Sequence, residues 1–313
     1  MFRNRLFSGL LVLGLAVPFA ACDDGAPGVG RLTILLTDAP GDFHAAVVTI
    51  SQVYLQGSSS EDGGRVVLLD EPFTTDLLTL ANDVATLLED EPVAEGNYAQ
   101  LRFVIPGAYI EVEDDVGGTR IYASSPDYEG LPEGAVVYGT LHMPSFAQSG
   151  LKVNLPGDML RVTGEQQILL VDFDVQQSFG RQAGHSGMWV MNPVIHGAFI
   201  EASVGVRASL ELGEGVELPE IDGVQVTLAD FSARLTNDEG SETTLPLEQR
   251  QNTDIFEAYF KFLLPALGPF GVEFLGPAGV TFQLDPADPI VVSPTSGQTA
   301  NVHRIVSSAG TSG

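Results

Sequence analysis

The chain has a single cysteine, Cys22, in 313 residues. One thiol excludes an internal disulfide, a cysteine-based zinc site and an iron–sulfur cluster. Positive charge is scarce, with 14 Lys and Arg against 41 Asp and Glu and a net charge of -27. Such a surface repels phosphate backbones, so nucleic acid is excluded as a partner. Lysine is limited to Lys152 and Lys261, which leaves Schiff-base chemistry few options. There is no P-loop, no G-x-G-x-x-G, no H-x-H and no H-E-x-x-H, so the usual phosphate-cradling and zinc spacings are missing. What is plentiful is glycine (35) and proline (19), in a chain that is 44% hydrophobic and only 18% charged. That composition forms cores and suits many short strands joined by turns. The length exceeds one ordinary domain and fits two.

Residues 1–22 read MFRNRLFSGLLVLGLAVPFAAC. Arg3 and Arg5 make a basic start, and Leu10 to Ala16 is an apolar stretch too short to cross a bilayer as a helix. Small residues Ala20 and Ala21 precede Cys22. The arrangement resembles a bacterial lipoprotein signal, with Phe19 where that motif usually carries Leu. The resemblance implies that residues 1–21 are removed and that Cys22 is lipidated. Ordinary secretion is the competing reading, and Phe19 fits its cleavage site poorly too. A truncated membrane span is the plainest alternative. The only cysteine stands where a lipid needs it, and processing would leave a net charge of -29, because residues 1–21 hold two Arg and no acid. Two or more acyl chains anchor stably where one does not. Asp23 next to the cysteine resembles an inner-membrane retention signal of enteric bacteria. Residues 23–30 (DDGAPGVG) read as a short acidic tether.

From Arg31 the pattern has period two, with Leu32, Ile34 and Leu36 on one face and Thr33, Leu35 and Thr37 on the other. The TDAPGD stretch ends this strand, through an Asx-turn at Asp38 and the missing donor of Pro40. Strands follow at 46–55, 65–69, 98–105, 108–113, 119–123, 136–142, 151–155, 159–162, 167–175 and 188–200. The apolar positions 77, 80, 84, 87 and 88 predict one helix, Asp76 to Leu88, capped by Thr74 or Thr75. Residues 89–96 read as an acidic turn. Composition shifts near Glu201, where we place a domain boundary. Beyond it, strands are expected at 204–212, 224–235, 255–263, 270–275, 279–284, 290–292 and 299–306, with 307–313 a frayed tail. The expected fold is all-β: two β-sandwich domains, 31–200 and 201–310, immunoglobulin-like or prealbumin-like, with at most one or two short helices.

Several segments occur in a familiar order: LTILLTDAPGDF (32–43), VTISQVYL (48–55), DLLTLANDVATLL (76–88), EGNYAQLRFVI (95–105), GLKVNL (150–155), ILLVDFDVQQSF (168–179) and MNPVIHG (191–197). Over residues 31–197 the chain resembles the bacterial domain-of-unknown-function 4382 family. The resemblance implies a secreted or lipoprotein β-sandwich and brings no catalytic residue with it. GVQVTL (223–228), TNDEG (236–240) and GPFGVEF (268–274) make the second domain similar to prealbumin-like and carboxypeptidase-regulatory-like sandwiches. The usual glycine-rich run after TNDEG is absent.

Candidate chemistry is sparse. Asp172 and Asp174, two apart on a strand, place both carboxylates on one face. Such a pair could share a calcium ion, the one cofactor in prospect, or split its pKa values for acid/base work. The plainer reading is a solvent-facing or turn-bonded pair. Glu111, Glu113, Asp114 and Asp115 lead into the Gly117-Gly118 hairpin without the EF-hand spacing, and read as a solvated tip. Asp38 and Asp42 invite the same calcium reading, with Asp38 a turn former first. GHSG (184–187) has its second Gly one place early for a nucleophile elbow, and reads as a turn. Trp189 reads as packing before carbohydrate stacking. His44, His142, His185, His196 and His303 are scattered. The chain is therefore expected to be no enzyme. We expect a lipid-anchored envelope protein, facing the periplasm or exterior, held to the membrane by its N-terminal lipid and binding a protein or polysaccharide partner. A calcium-dependent adhesion or assembly module and a hydrolase of envelope or extracellular polymers are the alternatives.

Overall fold

The computed structural model describes residues 28–38, 43–57, 64–114, 116–143, 150–179, 182, 188–287 and 290–311. The fold is all-β, in two sandwiches, with one short α-helix, Val175–Phe179, among the described residues. Cys22, Asp42, Asp115 and the GHSG segment lie outside them.

The first sandwich is organised around the strand Val29–Thr37. It pairs parallel with Gln166–Asp174 and antiparallel with Ala85–Ala94, and Val194–Phe199 completes a four-stranded sheet beside Gln166–Asp174. A six-stranded sheet that includes Ala45–Ile50 and a five-stranded sheet that includes Gln52–Gly57 close over it. These last two strands were expected as one. Ser51 breaks them, its N–H donating to Val104 across the bend. The shared core holds Leu32, Ile34, Leu36, Phe103, Leu169, Val171, Phe173 and Ile195, all essentially buried. Trp189 packs at its margin against Phe43 and Tyr122.

In the second sandwich, a five-stranded sheet centred on Val204–Leu212 faces a four-stranded sheet centred on Ser232–Thr236 and Phe270–Leu275. Alternation sends Val206, Ala208, Leu210 and Phe260 from one sheet, and Ala233, Leu235, Val272 and Phe274 from the other, into one buried cluster. The final strand, Thr299–Thr311, runs parallel to Val204–Leu212 and antiparallel to Val280–Asp285. Thr311 pairs with Val280, so the tail expected to fray is strand through that residue.

The helix expected over 76–88 does not form. Asp76 caps a single 3-10 turn, Leu77–Leu80, by accepting the N–H of Leu78. Asn82 then adopts φ 57°, a left-handed conformation that Asn tolerates better than most residues. The chain continues as Ala85–Ala94, the antiparallel neighbour of Val29–Thr37. The acidic residues 89–91 belong to that strand rather than to a turn, with Asp90 at φ 55° where the register shifts. Leu77, Leu80, Leu87 and Leu88 are all buried. Their helical spacing arises from two separate elements that share one core.

The central sheet of the first sandwich is buried on both faces. Leu35, Leu170 and Ala198 point away from the first core and join the second cluster. Parallel strands buried on both sides read as continuous apolar runs, and Ile168-Leu169-Leu170-Val171 is such a run. The two sandwiches therefore meet across an apolar floor.

Candidate functional site at the junction of the two sandwiches

Polar side chains line the end of that floor. Asp172 and Asp174 share one face, as their spacing requires, but that face turns toward the second sandwich and not toward water. Their residues are 8% and 1% exposed, which corrects the plainer solvent-facing reading. Parallel pairing sets Thr37 beside Asp172, and antiparallel pairing sets His196 on its other side. Asp174 accepts the backbone N–H of Gln177 at 2.8 Å and its side-chain amide at 3.0 Å, and it accepts the hydroxyl of Ser241 from the second sandwich. The same Gln177 amide also donates to Glu239 at 2.9 Å, and Glu239 lies 3.2 Å from His196 Nε2. Gln176 accepts the N–H of Glu242 at 3.0 Å. Asn237 orders the incoming loop by accepting the N–H groups of Glu239 and Ser241.

Asp38 completes the cluster. Its Oδ1 accepts the N–H of Val175 at 3.1 Å, while Oδ2 is buried with no hydrogen-bond partner. Burial pushes its carboxyl well above the usual carboxylate range; the charge of Asp172 adds to this, and the bond from Val175 partly opposes it. A protonated acid is the form this environment favours. A cavity of about 40 Å³ adjoins Asp38 and Asp172, lined also by Thr37, Asn82 and Ser241.

A second pin joins the halves beside the cluster. Strand Phe256–Leu263 pairs on its outer edge with Glu248–Gln249 only, through Glu257 and Phe256. Two residues further on, Asn82 of the first sandwich occupies that edge. Its Nδ2 donates to the carbonyl of Tyr259 at 3.0 Å, and its Oδ1 accepts the N–H of Lys261 at 2.6 Å. One side-chain amide thus supplies the donor and acceptor that a neighbouring strand would otherwise provide. Thr37 positions the Asn82 turn by donating to the carbonyl of Asp83 at 2.8 Å.

Other candidates resolve separately. Asp114 caps its hairpin, accepting the N–H groups of Gly118 and Val116, and these bonds hold its carboxyl below the ordinary range. Among the described residues no group of three or more His, Cys, Asp or Glu side chains is placed to hold a metal ion. None of His44, His142, His196 and His303 belongs to such a group. The fold does assemble one constellation that sequence spacing hides. Ser209 Oγ lies 3.0 Å from His303 Nδ1, and His303 Nε2 lies 3.3 Å from Glu211. Parallel pairing of Ser209 with His303 creates it. Ser209 Oγ also lies 3.1 Å from the carbonyl of Val302, so its one proton has two acceptors in reach, and the imidazole tautomer sets which of Ser209 and His303 donates to the other. The group is half-exposed on a sheet face.

The chain is thus an all-β protein of two sandwiches with an internally bonded polar junction. It belongs to the family described as Domain of unknown function (DUF4382), which matches residues 29–193. No curated protein matches it. Among solved structures it is similar to the Bacillus anthracis TIE protein, at 12% identity over 90% of this chain with a TM-score of 0.20; the chain spans 34% of that protein. It is also similar to a putative cell adhesion protein from Bacteroides fragilis, at 10% identity over 88% of this chain and 93% of the other, TM-score 0.24. A C-terminal fragment of the pilus adhesin SpaC from Lactobacillus rhamnosus GG shares 10% identity over 88% and 97% of the two chains, TM-score 0.21. Likeness at this level carries no functional argument. No helix among the described residues is long and apolar enough to cross a membrane.

Proposed function

We propose that the chain is a lipid-anchored, non-enzymatic cell-envelope protein that holds its two sandwiches outside the cytoplasm and binds a partner there. The junction is the observation that carries this reading. Asp174, Gln177, Ser241, Glu239, Gln176 and Asn82 are engaged in bonds that run between the halves. Groups spent on joining two sandwiches serve display, whereas catalysis needs groups poised in a cleft for a substrate. Cys22 is the lipidated residue in this reading, with residues 1–21 removed and 22–28 as tether; Val29 and Gly30, expected in the tether, are instead paired with Ala94 and Val93 in the first strand. The tether enters the fold at Val29–Thr37, a strand hydrogen-bonded along both edges, which suits an attachment point.

Replacing Cys22 with Ser and fractionating cells after a high-salt wash tests the anchor. Release from the membrane is expected, and retention would overturn it. The non-enzymatic half is tested with ester, glycosidic and peptide substrates. Turnover that a single substitution abolishes would overturn that half.

A further inference from the structure

Asp38 is buried by both halves of the molecule at once. It follows the strand Val29–Thr37 and is 5% exposed. From the first sandwich, Val175 donates to its Oδ1, and its backbone bridges to Ala81. From the second, Leu235, Phe260, Leu264, Leu267 and Phe270 line the cavity of about 40 Å³ that Asp38 shares. Its Oδ2 has no hydrogen-bond partner. Docking of the second sandwich thus brings apolar side chains beside a carboxyl that water would reach if the sandwiches parted.

The charges acting on Asp38 share its sign. Asp172, 8% exposed, lines the same cavity, and Asp174 and Asp76 add their charge. The helix Val175–Phe179 carries no titratable group. Asp83, beside Asn82, is engaged by the N–H of Val84. Lys261 is the one basic residue of the cavity lining, but it is exposed, and its ammonium lies 5.8 Å from the centre of the Tyr259 ring. The other charges of the second sandwich near the joint are paired elsewhere: Glu239 with His196, and Arg234 with Glu242 and Glu273. No cation therefore offsets an ionised Asp38, and burial followed by the charge of Asp172 holds its carboxyl well above the ordinary range.

Closed, the joint favours a protonated Asp38. Open, water hydrates the carboxyl, which then ionises above about pH 4. Closing is linked to uptake of a proton. Closure is fully favoured below the open-state value and weakens as pH climbs from there to the raised, closed-state value, the opening constant growing by up to about tenfold per pH unit. We propose that the joint between the sandwiches tightens in acid: the second sandwich closes over a protonated Asp38, and the halves part more often as that proton is lost. The inference concerns the joint alone and depends neither on the Cys22 anchor nor on what the chain binds.

Hydrogen exchange of the purified full-length protein in detergent, between about pH 4 and pH 9, tests this. Two amides report on the joint, because their acceptors belong to the other sandwich: Glu242, bonded to Gln176, and Lys261, bonded to Asn82. Two report on the halves themselves: Val153, bonded to Leu101, and Leu247, bonded to Phe231. With intrinsic exchange corrected at each pH, protection of the joint amides is expected to fall relative to the other two as pH rises. The ratio should stay flat in Asp38→Asn, whose amide is neutral throughout. Asp172→Asn, which removes the neighbouring charge, should shrink the fall, and it carries the test if Asp38→Asn does not fold. His196→Gln should keep the fall, which separates Asp38 from the His196–Glu239 pair. A ratio independent of pH in the wild type, or equal loss of protection at all four amides, would overturn the inference. So would a fall that persists in Asp38→Asn, is unchanged in Asp172→Asn or vanishes in His196→Gln. Any of these results leaves the anchor and the substrate panel to their own tests.

Discussion

Asn82 carries the most exposed consequence of the junction geometry. Its amide makes two bonds to the edge of the strand Phe256–Leu263, and its backbone sits at φ 57°. Asn82→Gly removes both bonds while tolerating the backbone, and at ~0.5–1.5 kcal/mol per bond the cost is about 1–3 kcal/mol. Asn82→Ala removes the same bonds and adds the left-handed penalty of about 1–2 kcal/mol. The gap between the two variants isolates the backbone contribution. Asn82→Asp is the sharper probe. Its carboxylate still accepts from the Lys261 N–H but sets a lone pair against the carbonyl of Tyr259. Once protonated, it regains a donor and reproduces the amide pattern. The Asp variant should therefore be weakened at neutral pH and recover as pH falls through the carboxylate range, relative to wild type at each pH. Thermal unfolding followed by circular dichroism reads this, at roughly 2–4 °C per kcal/mol for units of this size. Weaker coupling should also separate the melting of the two sandwiches, so calorimetry should show a broadened or split transition. An Asn82→Gly protein that melts as wild type does, in one unchanged transition, would refute the view that this amide pins the halves together.

Other expectations follow from the same junction. Asp38→Asn keeps the acceptor for the Val175 N–H and removes a buried ionisable group. Because the folded-state pKa of Asp38 is raised, its stability contribution is lost as pH rises above the ordinary carboxylate range of about 4. The variant should gain melting temperature over wild type near neutral pH and gain little in acid; a difference independent of pH would contradict the burial argument. Leu170→Ala removes an apolar side chain of the shared floor and should cost about 2–5 kcal/mol in denaturant unfolding; a loss below about 0.5 kcal/mol would mean the floor is not packed. Calcium titration separates the adhesion alternative: both side-chain oxygens of Asp174 already accept protein donors, so the melting temperature should not respond to calcium or chelator. A calcium-dependent rise would return Asp172 and Asp174 to the role of a metal pair.

Much of the architecture was legible because strand alternation is local. The strands 204–212, 270–275 and 290–292 fall where the pattern put them. The helix over 76–88 misled because Leu77, Leu80, Leu87 and Leu88 satisfy a helical spacing by coincidence of two elements, and pairing with Val29–Thr37 overrode it. The tail through Thr311 looked frayed because Ser, Gly and Thr carry little strand signal, yet a partner strand at Val280–Asp285 supplies its hydrogen bonds.

The sequence by itself determined the class of fold, the spacing that puts Asp172 and Asp174 on one face, the acidic surface, and the lone cysteine near the start. Those properties depend on composition and on neighbours a few residues away. Only the tertiary structure decided what that face meets. The apolar run at 168–171 is consistent with the two-sided burial the structure shows, but nothing local says that the second layer is the other sandwich, or that Ser241 and Glu239 arrive with it. Asn82 and Tyr259 are 177 residues apart, and Asp38, Asp172 and Ser241 come from separate segments. Periodicity reports which way a side chain points and is silent on what stands opposite. That partner is set by how sheets stack, where a single contact can join any two points of the chain.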